Sequence, residues 1–283
     1  MADFPKETFG AGEVIFHKGE PADSFYMVSS GSVEIFDPDQ KTTIAMLGGG
    51  SSFGEQSLLV GGVRGASARA RIPTECTVVG TARLREALHQ EKSLLRQGVE
   101  GILLQLAMHN EMLMKFRAGK QPTFQVSPNI AELAAANSPR KAEIFLNNPF
   151  GSRPTTPEIL LLRLIASAQL AAITFGEGQL IIRGGDHPQE AFFVLQGEVN
   201  LSTPELGLCV LGPGSVVSLA EGVAGVPSRA KAVAKTQTLT MRLPLKPLLN
   251  ALANANPGLK GIMRVTMLRI LDLYAIPDPP SRA

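Results

Sequence analysis

Phe53-Gly54-Glu55-Gln56-Ser57-Leu58-Leu59-Val60-Gly61-Gly62-Val63-Arg64-Gly65-Ala66 sets one carboxylate, Glu55, and one guanidinium, Arg64, on either side of a short apolar run. A Gly-rich entry, Leu47-Gly48-Gly49-Gly50, precedes it. Charges of both signs in one small loop serve packing poorly, because charged side chains are kept out of cores unless paired. The layout suits a sugar hydroxyl and a phosphate held at the same time. Gly54 to Leu58 is predicted to turn from a strand into a short helix, whose first N–H groups are unpaired and open to an anion. Gly54 lets the backbone approach a ligand closely. Arg64 adds charge-assisted hydrogen bonds to phosphate oxygens. Glu55 repels a phosphate, so its natural partner is a hydroxyl.

Outward from this stretch, the chain contains itself twice. Phe9-Gly10-Ala11-Gly12 answers to Phe175-Gly176-Glu177-Gly178 at an offset of 166 residues. The same offset pairs Gly19 with Gly185, Tyr26 with Phe192, Val28 with Val194, Gly31 with Gly197 and Val33 with Val199. Beyond the Asp37-Pro38-Asp39-Gln40 hairpin the offset becomes 164, and Leu47-Gly48-Gly49-Gly50 meets Leu211-Gly212-Pro213-Gly214. A length change at a turn is where one is tolerated. A period this long means two domains rather than a solenoid. Strands are expected at about 14–16, 25–29, 32–36, 42–47, 66–71 and 77–80, with glycines at the turns between them. The fold class predicted is mainly β with helices: two antiparallel β-rolls of jelly-roll type, each followed by a C-terminal helix.

Glu91 to Arg117 carries Leu95, Val99, Ile102, Leu106, Leu113 and Phe116 at three- and four-residue spacing, with His109 in the one polar slot. This is a heptad-like helix, either packed on its own roll or also a dimerising one. Gly98 and Gly101 weaken its early turns. A similar helix is expected from Gly258 to Tyr274, with Ile262, Val265, Leu268, Leu271 and Leu273 apolar. The Pro- and Gly-broken segment between the copies holds candidate helices at 129–136, 140–146 and 157–172. The last has a start signal in Thr155-Thr156-Pro157-Glu158. Domains are therefore expected at 1–118 and 157–283, with a partly helical linker at 119–156.

The 44% hydrophobic and 18% charged composition suits a globular chain with real cores. No apolar run approaches the roughly 18 residues that span a bilayer, and the N-terminus lacks a signal peptide's layout. A net charge of +2 gives no argument for nucleic acid or anionic membrane. Four histidines, none at ligand spacing, argue against a metal site. Cys76 and Cys209 read as buried free thiols of a cytoplasmic protein.

The pattern Phe53-Gly54-Glu55, Leu58, Arg64 and Ala66 resembles the phosphate-binding cassette of the cyclic-nucleotide-binding domain family. Gly19-Glu20-Pro21-Ala22 and Tyr26-Met27-Val28-Ser29-Ser30-Gly31-Ser32-Val33 are also similar to the family. The resemblance covers about residues 9 to 116 and implies the same roll. It implies Gly54, Glu55 and Arg64 as ligand residues, with the backbone of Gln56, Ser57, Gly65 and Ala66 nearby and Glu55 on the ribose 2′-hydroxyl. Family members selective for cGMP often place Thr after the Arg. Gly65 stands here, so cAMP is the expected ligand, with cGMP less favoured. The family's purine is usually capped by the helix after the roll. The count along the pattern reaches His109, which would stack, and Asn110, which would hydrogen-bond; an ordinary solvent-facing pair is the other reading.

In the second copy the 164-residue offset carries Phe53 to Val217, Gly54 to Ser218, Glu55 to Leu219 and Arg64 to Ser228. Both charges are gone. Arg229 is one residue off, which on a strand points to the other face. The second site is expected to be degenerate; a different anionic ligand on Arg229 or Arg183 is the alternative. No helix-turn-helix follows Tyr274, and only eight residues precede Phe9, which departs from the transcription-factor and kinase-regulatory versions of the family. Ser138-Pro139-Arg140-Lys141-Ala142 reads as linker. No catalytic constellation converges. The expectation is a non-enzymatic cytoplasmic receptor for a cyclic nucleotide, without cofactor, membrane or nucleic acid, signalling to a protein partner, with a homodimer as a further arrangement. The alternatives are a scaffold with a silent pocket and a receptor for another nucleotide. An enzyme on a cupin-like roll is argued against by the missing metal cluster.

Overall fold

The computed structural model describes residues 5–39, 41–54, 63–80, 86, 88, 93–147, 154–167, 170–255 and 257–273. Glu55, Gln56 and Ser57 lie outside the described residues, as do the side chains of Ile262, Val265 and Leu273.

Among the described residues the first roll has eight strands: β1 (Lys6–Phe9), β2 (Val14–Phe16), β3 (Ser24–Ser30), β4 (Ser32–Asp37), β5 (Thr42–Gly48), β6 (Ser52–Phe53), β7 (Ser67–Ala70) and β8 (Thr74–Gly80). They form two antiparallel sheets in the orders β1-β8-β3-β6 and β2-β7-β4-β5. Alternation along each strand turns Val28, Val33, Ile35, Ala68 and Cys76 into a shared core with Phe16, Tyr26 and Phe53. The Tyr26 and Phe53 rings stack at 5.2 Å.

The second roll repeats this order with β10 (Ala171–Phe175), β11 (Leu180–Ile182), β12 (Glu190–Gln196), β13 (Val199–Thr203), β14 (Gly207–Leu211), β15 (Val216–Val217), β16 (Lys231–Ala234) and β17 (Thr238–Pro244). Its sheets run β10-β17-β12-β15 and β11-β16-β13-β14-β9. The extra strand β9 (Thr123–Phe124) comes from between the rolls and pairs parallel to β14. The duplication is visible at single residues. A Cβ on Gly31 would meet Thr74 Oγ1 at 2.4 Å, and one on Gly197 the Gln237 carbonyl at 2.4 Å; both have positive φ. Each glycine lets a hairpin cross the last strand of its roll.

The helices are α1 (Ser93–Arg117), α2 (Pro128–Ala135), α3 (Pro139–Asn147), α4 (Thr156–Ala166), α5 (Leu219–Ala224), α6 (Leu245–Ala253) and α7 (Pro257–Leu273). Helix α4 begins as its start signal predicts. Thr155 N–H donates to Glu158 Oε2 at 2.7 Å, and the Thr155 hydroxyl donates to the same oxygen at 3.0 Å. It ends at Ala166, not Ala172, because Ala171 already pairs with Arg242 in the sheet.

Helix α1 departs most from expectation. One apolar stripe, packed on its own roll or also dimerising, is predicted; instead Leu95, Val99, Ile102, Leu103, Leu104, Leu106, Met108 and Met112 are all buried, and so are Gln97, Glu100 and Gln105. Phe116 alone of the predicted stripe is exposed. The helix is closed in by α4, α5, α6, α7 and β15 as well as β5, and joins the core of the second roll. Gly98 and Gly101 therefore act as close-approach points. A Cβ on Gly98 would lie 2.4 Å from Leu248, and one on Gly101 2.8 Å from both Leu219 and Phe193. Hydrogen bonds hold the far end of the helix to the first roll and the linker: Arg117 Nη1 donates to the Ile44 carbonyl at 2.8 Å, and Lys115 Nζ to the Thr123 carbonyl at 2.8 Å.

Both cysteines are free and buried, and burial pushes each thiol up to about 11. Among the described residues no helix is long and apolar enough to cross a membrane, and no group of three or more His, Cys, Asp or Glu is placed to hold a metal ion.

Candidate ligand-binding site

Arg64 is placed by its backbone before its side chain. Its N–H donates to the Glu20 carbonyl at 2.8 Å, and its carbonyl accepts from Gly19 N–H at 2.8 Å. Val63 forms a bridge with Pro21. The Gly19-Glu20-Pro21 turn thus fixes where the return strand starts. The side chain turns inward and is 3% exposed. Its guanidinium lies 4.1 Å over the Phe16 ring, and Nη1 donates to the Gly54 carbonyl at 3.2 Å. Gly54 has φ 80°, and a Cβ there would lie 2.7 Å from Arg64 Nη1. Both the backbone conformation and the guanidinium's position favour glycine.

A cavity of about 210 Å³ opens beside this pair. Gly54, Arg64, Gly65 and Ala66 line it from the first roll, with Phe16, Ile35, Ile44 and Phe53 as its apolar wall. Ala107, Asn110, Glu111 and Met114 of α1 line another side, and Pro157 of α4 and Arg269 of α7 complete it. The buried Oδ1 of Asn110 has no hydrogen-bond partner among the described residues. Glu111 is engaged by Lys115 at 2.7 Å. The arrangement offers a guanidinium, backbone groups at a glycine turn, an apolar wall and an open amide acceptor. That set fits a ligand with an anionic group, an apolar body and an N–H donor.

Of the residues predicted from sequence, Gly54, Arg64, Gly65 and Ala66 meet Asn110 at this cavity. His109 does not line it. The ring is 2% exposed, and its Nδ1 lies 2.7 Å from the Gln105 carbonyl one turn back. Burial lowers its pKa to about 4, so it is neutral. Successive helix residues lie about 100° apart, so with Asn110 at the cavity His109 points away from it. Nor are His109 and Asn110 a solvent-facing pair. Ser67 is structural: its Oγ accepts the Lys18 N–H at 2.9 Å. Arg269, Met114 and Glu111 were not expected at the site. For Arg269 the repeat itself carries a signal, since the offset of 164 links it to Gln105.

The second roll shows what the same scaffold does without the charges. Ser218 keeps the left-handed backbone of Gly54, at φ 67°. Leu219, at the position of Glu55, is fully buried. Ser228, at the position of Arg64, turns its hydroxyl to the Ala230 carbonyl at 3.0 Å. Arg229 faces outward, where it pairs with Glu205 at 2.5 Å. At the start of α5 the Ala220 N–H donates to Oε1 of Gln105 at 2.9 Å, and Val216 N–H meets Met108 Sδ at 3.4 Å. Helix α1 thus fills the second cassette with the protein's own groups.

The cyclic nucleotide-binding domain family matches residues 6–91 and again residues 172–255. The cyclic AMP receptor protein of Thermus thermophilus is 40% identical over 78 residues, covering 26% of this chain and 36% of the relative. The cAMP-dependent protein kinase regulatory subunit of Emericella nidulans is 32% identical over 89 residues, covering 31% of this chain and 22% of the relative. The chain thus spans well under half the length of these two relatives. Among solved structures, the regulatory subunit of a cAMP-independent protein kinase A from Trypanosoma brucei aligns over 88% of this chain and 75% of its own, at 17% identity and a TM-score of 0.33.

Proposed function

The chain belongs to the cyclic nucleotide-binding domain family, and from that premise we propose that it is a non-catalytic receptor taking cAMP in its first roll. The observation that carries this reading is Arg64, a buried guanidinium held against the Gly54 turn at the rim of a cavity. A cyclic phosphate beside it would gain charge-assisted hydrogen bonds. Glu55 takes the ribose 2′-hydroxyl, with Gln56 and Ser57 lending backbone N–H groups. The open Asn110 acceptor suits the exocyclic amine of adenine. Gly65 after the arginine and relatives named for cAMP support the choice of base.

In this reading the working units are residues 1–118 and 157–283, the linker is 119–156, and the second roll is a degenerate partner. Helix α1 is the transmitter, because Asn110 and Met114 face the cavity while Gln105 and Met108 hold the second cassette. A ligand that favours one position of α1 shifts the whole by its differential affinity for the two positions. The output is a protein partner in the cytoplasm, with homodimerisation as a further arrangement. The test is cAMP binding by calorimetry together with limited proteolysis of residues 119–156. Saturable binding that changes the linker digestion pattern supports a signalling receptor. Binding with an unchanged pattern points to a scaffold with a silent pocket, and no binding removes the reading.

A further inference from the structure

We propose that the outer edge of β5 in the first roll is a docking seat for an extended segment of a partner protein, which adds to the sheet as a parallel strand. The seat lies apart from the cavity, so the inference does not rest on the cAMP reading.

The second roll shows what the matching edge takes. There β9 runs parallel to β14, with Val210 opposite Thr123 and Leu211 opposite Phe124. Val210 N–H donates to the Pro122 carbonyl at 3.0 Å, Gly212 N–H to the Phe124 carbonyl at 2.8 Å, and Val126 N–H to the Pro213 carbonyl at 2.9 Å. Phe124 and Val126 are buried. A Cβ on Gly212 would lie 2.9 Å from Gln125, and one on Gly214 2.6 Å from Val126. Glycine at both places makes room for the added strand.

The offset of 164 carries Val210 to Met46, Gly212 to Gly48 and Gly214 to Gly50. The pairing register agrees: Met46 stands opposite Glu34 as Val210 stands opposite Asn200. The Met46 N–H therefore points away from β4, as the Val210 N–H points away from β13. Among the described residues β5 is the last strand of its sheet. Gly212 and Gly214 are buried under the added strand, whereas Met46, Gly48 and Gly50 are exposed. Nothing among the described residues comes within 4 Å of a Cβ built on Gly48 or Gly50. The Leu47-Gly48-Gly49-Gly50 run lines no part of the cavity. It keeps the shape of the second roll's seat without its strand. Outward-facing N–H and C=O groups on an edge strand are a template for another chain.

The occupant's chemistry follows from both rolls. The strand seated on the second is a polar residue followed by an aromatic one, Thr123-Phe124. At the start of the β5 edge Arg117 is exposed, and its Nη1 donates to the Thr43 and Ile44 carbonyls at 3.3 and 2.8 Å. A parallel strand runs past Arg117 before it reaches Met46. A carboxylate about three residues ahead of the polar–aromatic pair would complement that guanidinium.

The test uses the full chain and, as probe, a synthetic peptide copying residues 120–126 with Lys120→Asp. Amide exchange at Met46 and Gly48 is read by NMR, and peptide affinity by calorimetry. Both amides should exchange freely without peptide and about tenfold more slowly with it. Gly48→Val places a side chain where Gln125 sits in the second roll, and should weaken peptide binding about tenfold or more. Met46→Pro removes one donor from an edge that tolerates proline, and should weaken it by about as much. No peptide-dependent slowing, or wild-type affinity in both variants, would overturn the inference. Slow exchange at both amides in the free monomer would also overturn it, because the chain itself would then cover the edge. A dimer in analytical ultracentrifugation that Gly48→Val dissociates would assign the edge to a second copy instead. If Gly48→Val does not fold, Met46→Pro and the wild-type exchange decide.

Discussion

The two rolls share a strand order, a crossing glycine at Gly31 and Gly197, and a left-handed residue at Gly54 and Ser218. They differ in what occupies the space beside that residue. In the first a buried arginine borders a cavity; in the second a leucine, a serine and the side chains of α1 fill it. Where the second roll has neither the carboxylate nor the guanidinium, a neighbouring helix supplies hydrogen-bond partners to backbone donors of the cassette. Satisfying those buried donors matters, because an orphaned one costs about 1–3 kcal/mol. Ser218 holds the left-handed backbone of Gly54 at a conformational cost of about 1–2 kcal/mol.

The comparison is broken most severely at Arg64. Arg64→Ala in the first roll should cost about 3–5 kcal/mol of ligand binding, by analogy with a partner removed from a buried pair. Ser228→Ala at the matching position should leave binding unchanged; titration calorimetry reads both. The next test concerns α1 as a wedge in the second roll. Helix propensity alone predicts that Gly101→Ala stabilises by about 1 kcal/mol. The contacts with Leu219 and Phe193 predict a net loss of about 1–2 kcal/mol from overpacking, which chemical denaturation would measure.

A third test uses pH. Glu100 of α1 is 4% exposed, and burial raises its pKa to about 7 although Arg163 and Arg96 pull it down. The folded chain keeps this proton where the unfolded chain has released it, above about 4.5. Its contribution is therefore fully present below pH 4.5 and is lost as pH rises through 7. Glu100→Gln should be nearly neutral at pH 4 and more stable than wild type at pH 8, by about 2–3 kcal/mol. What remains is the opposite slope of His109, whose stability is lost as pH falls from 6.5 to about 4. Thermal melts across pH 4 to 8 separate the two. The smallest effect is expected at Ser218→Gly, which relieves the left-handed strain and should stabilise by about 1 kcal/mol without restoring a second site.

The rolls were legible in the sequence because their signals are local. Period-two strands and turn glycines recur at one offset, and Thr155 with Glu158 marks a helix start. The cassette's Gly54 and Arg64 were legible for the same reason, since a ten-residue loop carries both. Helix α1 was misjudged because its partners are distant. Gln105 meets Ala220 across 115 residues, and a helix buried on nearly every side presents no single stripe to read. Gly98 and Gly101 looked like weak helix formers when they are points of contact. Strand β9 is two residues long, below any periodicity, and α6 starts after Pro244 with no side-chain cap. Met114 and Glu111 came to the cavity through the rotation of α1, which local patterning does not fix.

We propose one live cassette and one filled by the protein's own helix. Calorimetric titration of cAMP into the full chain tests it most directly. One ligand per chain, lost in Arg64→Ala, is the predicted result. Two ligands per chain would contradict it, because the second cassette could then not be closed by Gln105 and Leu219.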